Sequence, residues 1–134
     1  MTKTAPANAT AGSYSVNTTA TSGTSTGTGS ASVTVLTPPL TVTLSVPSST
    51  VARTANVPIT ATVLQGSTPV ANATVVYTVV RPDQLTQTTT LTTNSSGQTT
   101  WNYIPWHFGT YSVTAVATYG SQTATASAIT FTAQ

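Results

Sequence analysis

"PITATVLQGSTPVANATVVYTVV", residues 58–80, holds two runs in which apolar and hydroxyl side chains alternate, with a turn between them. In the first run Ile59, Ala61 and Val63 fall on one face and Thr60 and Thr62 on the other. Successive side chains of a strand point to opposite sides, so this is the pattern of a half-buried β-strand. The second run places Val75, Tyr77 and Val79 on one face, and Val76 and Val80 make its other face partly apolar too, as in a central or covered strand. Gly66 and Pro69 supply the reversal between the two.

Outward from this stretch the period of two persists. "LTVTLSV" at residues 40–46 lines up Leu40, Val42, Leu44 and Val46. "QTTTLTT" at residues 87–93 has one large apolar side chain, Leu91, and reads as a short polar edge strand, a guard against edge pairing. "QTTWNYIP" carries Trp101 and Tyr103 two apart on one face, directed at the core. "GTYSVTAVATYG" and "SQTATASAITFTAQ" form a hairpin around Tyr119 and Gly120. Turn residues Pro82, Asp83, Asn94 and Gly97 fall at the remaining reversals. Residues 40–134 thus supply about seven strands and no helical segment, the size and spacing of an immunoglobulin-like antiparallel β-sandwich.

Composition narrows the function. The 134 residues include three cations, Lys3, Arg53 and Arg81, and one acidic side chain, Asp83. So sparse a charge makes no phosphate-binding stripe, and nucleic acid is not an expected partner. Cysteine is absent, which removes disulfides, thiolate metal sites and thiol nucleophiles. One His and one Asp fall short of a zinc or calcium ligand set, so neither metal nor cofactor is expected. Catalysis by His107 requires a nucleophile and an orienting acid, and glycoside hydrolysis a carboxylate pair, so the expectation is a non-enzyme. No run is apolar enough to span a membrane.

Part of the chain resembles a known family. Pro69, Val70, Ala73 and Val75 form a "PV-x-x-A-x-V" turn and strand entry; Thr93 and Gly97 a "T-x-x-x-G" turn; Tyr103 and Pro105 a "Y-x-P" strand end; and Gly109, Tyr111, Val113 and Ala115 a "G-x-Y-x-V-x-A" strand. Over most of residues 57–120 this is similar to the bacterial and archaeal Ig-like repeats of invasin- and intimin-type surface proteins. The resemblance implies a structural module outside the cell, on a cell-surface adhesin, envelope layer, filament or virion surface, with other copies or neighbouring Ig-like repeats as partners.

Between two of these strands lies "PWHF". Tyr111 occupies the place of a tyrosine corner, its hydroxyl returning to nearby backbone. Trp106, His107 and Phe108 are then either a lid folded back on the core or an exposed tip for a host glycan or receptor, because aromatic rings offer large contact area at low entropic cost. Arg81, Pro82 and Asp83 read as a turn in which Asp83 caps its own backbone and Arg81 is solvated. Four N-x-Ser/Thr sequons, at Asn8, Asn17, Asn72 and Asn94, are candidate N-glycosylation sites.

Residues 1–39 echo the C-terminal end of the chain. Gly12, Tyr14, Val16 and Ala20 align at constant spacing with Gly109, Tyr111, Val113 and Ala117. The expectation is the last hairpin of another Ig-like module, with Val33 and Val35 on a strand that assembles with a second sheet, or else a remnant or linker of a repeat array.

Overall fold

In the computed structural model residues 11–134 are described. The chain divides at Pro38 and Pro39 into two compact units. The first holds β1 (Gly12–Ser22) and β2 (Ser25–Val35), an antiparallel two-stranded sheet.

The second unit is an all-β sandwich. Its strands are β3 (Leu40–Ser45), β4 (Thr50–Val51), β5 (Val57–Gln65), β6 (Thr68–Pro69), β7 (Thr74–Val80), β8 (Thr86–Thr92), β9 (Gln98–Tyr103), β10 (Gly109–Tyr119), β11 (Gln122–Thr125) and β12 (Ile129–Ala133). One sheet runs β4-β12-β10-β7-β8, with β11 also on β10, and the other joins β3, β5 and β6, with β9 on the far side of β5. The pairings are antiparallel except that of β4 with β12. This is an immunoglobulin-like arrangement, two sheets with sequential strands distributed between them.

The alternation seen in the sequence is the alternation of burial. Ile59, Ala61 and Val63 of β5 face Val75, Tyr77 and Val79 of β7 and Tyr111, Val113, Ala115 and Ala117 of β10, all buried, while the intervening Thr residues face out. β7 is central, flanked by β10 and β8. Its outer face remains in solvent, since Val76 is exposed. β8 is the edge strand, and its Leu91 is half-buried against the core.

Three features went unseen in the sequence, the first being the two-residue β6, in which Thr68 and Pro69 pair with Gln65 and Leu64 of β5 where only a turn is expected. The two-residue β4 crosses to lie parallel to β12, with Thr50 opposite Thr132 and Val51 opposite Ala133. The strand after the Gly120 turn is also not continuous. Val116 faces Thr125 but Val113 faces Ile129, so residues 126–128 accommodate one extra residue as a bulge between β11 and β12.

Hydroxyls lock the sandwich where apolar contact cannot. Thr93, the buried polar residue of this core, donates to the Val70 carbonyl at 2.6 Å and accepts from the Ala73 N–H at 2.9 Å. Tyr77 reaches across from the opposite sheet. Its hydroxyl accepts from the Ala61 N–H at 3.1 Å and donates to the Thr99 carbonyl at 2.6 Å, and those two residues face each other on β5 and β9. Burial raises the Tyr77 pKa above the usual phenol value, against the smaller opposing effect of these bonds. Gly97 turns between β8 and β9 at φ 70°, where an added Cβ would lie 2.6 Å from the Val63 carbonyl oxygen, so neither its conformation nor its surroundings admit a side chain.

Candidate functional site

Three connections meet at one end of the sandwich: residues 52–56 before β5, the turn 81–85 between β7 and β8, and the loop 104–108 between β9 and β10. The last carries the aromatic cluster. Tyr103 is buried, with its ring edge-on to Trp101 at 5.0 Å and to Tyr111 at 5.7 Å, while Trp101 is half-buried and packs on Tyr77 at 6.0 Å. Both residues serve the core, as their spacing implies. The tyrosine corner is present: the Tyr111 hydroxyl donates to the His107 carbonyl and accepts from the His107 N–H, both at 2.9 Å.

The loop continues the strand's alternation beyond its last ladder residue. Pro105 is buried and its carbonyl accepts from the Thr54 N–H at 2.8 Å, whereas Ile104 and Trp106 point outward. Trp106 and Phe108 are each 64% exposed. The lid reading is therefore incorrect, because the inward place it required is occupied by Pro105. A pinned backbone and outward rings make this an apolar tip, with the Arg53 guanidinium 4.7 Å from the centre of the Phe108 ring in a cation–π contact.

His107 lies beside a small charged group. Arg81 is hydrogen-bonded to Asp83 at 2.6 Å and also to the His107 Nε2, and His107 is 3.8 Å from the Asp83 carboxylate. Asp83 does cap its own turn, accepting from the Leu85 N–H at 3.2 Å. Arg81 is not the solvated side chain expected; it is 19% exposed and bridges two loops. The sequence separates Arg81 from His107 by a whole strand pair, and only the packing of β7 beside β10 brings them together. Chemically this is a neutralised cation holding a histidine, which fixes the loop's position. Among the described residues no three His, Cys, Asp or Glu side chains converge as a metal site would require, and no helix is long and apolar enough to cross a membrane.

Asn17, Asn72 and Asn94 are exposed, whereas Asn8 lies outside the described residues. Asn94 Oδ1 accepts from the N–H groups of Ser96 and Gln98, at 2.9 and 3.1 Å. Asn72 sits in the left-handed region at φ 60°. In the first unit Val33 and Val35 are half-buried on β2, on the same face as Tyr14.

Fold and site together define an immunoglobulin-like β-sandwich with a loop-borne aromatic tip. No family model and no curated protein matches the chain.

Proposed function

We propose that this protein is a non-enzymatic structural module of an extracellular assembly, on a cell-surface adhesin, envelope layer, filament or virion. The observation that carries the reading is the composition of the described chain: one complete sandwich preceded by a hairpin that repeats the sandwich's own last hairpin, pair for pair. A polypeptide built this way is modular and joins a neighbour of its own architecture. The resemblance to invasin- and intimin-type repeats supports the same reading. So does a surface of hydroxyls and amides, on which Asn17, Asn72 and Asn94 are accessible to glycans.

The test is immunogold electron microscopy of the producing cells and particles, with antibody raised against residues 39–134. Label on the outer surface, or on filaments or particles outside the cell, is the expected result. Label confined to the cell interior overturns the proposal.

A second reading is favoured by the tip. Trp106 and Phe108 stand out from a backbone fixed by Tyr111 and Thr54, a rigid aromatic anchor suited to a glycan or receptor, with His107 beside them. Replacing both Trp106 and Phe108 with Ala separates the two. Loss of binding to cells or glycans with unchanged melting supports the tip as a binding site; unchanged binding with lowered melting supports a structural role.

A further inference from the structure

Every Arg, Asp and His side chain among the described residues lies at one end of the sandwich. Charge is thus gathered where the exposed rings are, on a surface otherwise made of hydroxyls and amides. Two segments build this end. Residues 53–56 run beside residues 102–108 and are tied to them at three points: the Asn56 amide donates to Asn102 Oδ1 at 3.4 Å, the Thr54 N–H donates to the Pro105 carbonyl at 2.8 Å, and the Arg53 guanidinium lies 4.7 Å from the centre of the Phe108 ring. The Tyr111 hydroxyl holds the same loop from within. Asn102, Ile104, Trp106 and Phe108 are all exposed along it.

The two cations of this end are not equivalent. Arg81 is paired with the Asp83 carboxylate and bonded to His107 Nε2, so its charge is used within the protein. Arg53 is exposed, and among the described residues no carboxylate lies within ion-pair distance of it. A guanidinium resting on a ring keeps its N–H donors at the edge of its plane, where a carboxylate can take two of them.

We propose that this tip binds a glycan bearing a carboxylate, a sialic or uronic acid, with Arg53 on the carboxylate and Trp106 and Phe108 against the C–H faces of the sugar rings. This rests on the reading of the tip as a binding site and names its ligand class. A pyranose has an apolar C–H face and a rim of hydroxyls. Trp106 and Phe108 suit the first, and the amides of Asn56 and Asn102, which both donate and accept, suit the second. A second copy of this chain has no acid to offer Arg53, since Asp83 is the one acidic side chain and is held by Arg81. One unpaired cation is too few for nucleic acid. Sinking the rings into a lipid surface would carry the neighbouring His107 and Asp83 out of water.

The experiment applies the full chain to an array of immobilised oligosaccharides ending in sialic or uronic acid, each beside its carboxyl-reduced form. Phosphatidylglycerol vesicles and a Glu-rich peptide are tested in parallel. The expected result is an acidic glycan bound at least about tenfold more tightly than its reduced form, as one charge-assisted pair provides. Arg53→Gln should bring the two forms level, and Arg53→Lys should keep part of the difference. Trp106→Ala should weaken both forms alike, by about tenfold or more. Thermal melting of each variant shows that it is folded, and the comparison of acidic with reduced forms is made on the unaltered chain.

Equal binding of the two forms overturns the inference, as does an Arg53→Gln variant that still discriminates between them. Binding to the vesicles or the peptide with no acidic glycan bound overturns it too, and so does binding to none of the probes. The reading of the tip as a binding site fails separately. It survives any of these results if replacing Trp106 and Phe108 still abolishes attachment to cells, and only the carboxylated sugar is then removed.

Discussion

The hairpins β1–β2 and β10–β12 share a register and a turn, yet one is half in water and the other is the middle of a core. Tyr14 and Tyr111 occupy the same place in their ribbons, and their exposures are 46% and 0%. Local pattern therefore specifies the ribbon, and tertiary context decides what the ribbon is worth. The energy lies in the burial of Tyr111, Val113 and Phe131 against the other sheet, at about 25 cal/mol per Å² of apolar surface.

The sharpest way to break this comparison is to cut the two tyrosines. Tyr111→Ala removes a buried ring together with both bonds to His107 and should destabilise the sandwich by about 3 to 5 kcal/mol. Tyr14→Ala should change the sandwich's urea midpoint by less than about 0.5 kcal/mol equivalent. Equal effects would mean that the hairpin is part of the sandwich's own core.

Turns give the next contrast. Gly97→Ala meets both a left-handed φ and the Val63 carbonyl, and should cost more than about 2 kcal/mol by denaturant titration. Gly120 and Gly23 also have φ 59°, but nothing lies within 4 Å of a Cβ built there. Alanine at either should cost only the backbone strain, about 1 kcal/mol.

Buried hydroxyls come third. Tyr77→Phe leaves the Ala61 N–H and Thr99 carbonyl without their bridge, and a loss of about 1 to 3 kcal/mol is expected from thermal melts. Thr18 also bonds across a strand pair, to the Gly29 carbonyl at 3.3 Å, but in the exposed hairpin. Thr18→Val should leave melting unchanged.

The smallest effect is that of pH. Burial raises the pKa values of Tyr77 and Tyr103, the latter with a further contribution from Tyr111. The unfolded chain then loses these protons first as pH rises, so their contribution is complete below about pH 10 and is lost above it. Asp83 is the one acidic side chain in the sequence. Circular dichroism should show no cooperative loss of structure between neutral pH and about pH 2, and declining stability on the alkaline side.

How much of this was legible in the sequence depends on what fixes each feature. Period-two alternation identified β3, β5, β7 and β10 with their inward residues, because one buried face leaves a mark at every second position. The tyrosine corner was legible too, since a Tyr two residues into a strand after a loop has few other uses. The sequence left Trp106 open between a lid and an exposed tip, although a deciding signal existed: Tyr103, Ile104, Pro105 and Trp106 keep the in-out alternation, and extending it past the strand's end puts Trp106 outside. Arg81 beside His107 left no local signal, for it depends on β7 and β10 lying together. Nor did β4, whose two residues are too few to show a period.

The placement of β4 has a mechanical consequence. It lies parallel to β12, and the Thr132 N–H bonds to the Ser49 carbonyl, the Gln134 N–H to that of Val51, and the Arg53 N–H to that of Gln134. Tension applied between Ser48 and Gln134 pulls these neighbouring segments past one another along their length. The bonds are then loaded together in shear rather than opened one after another like a zip, so this edge of the sandwich resists being drawn apart along the strand direction.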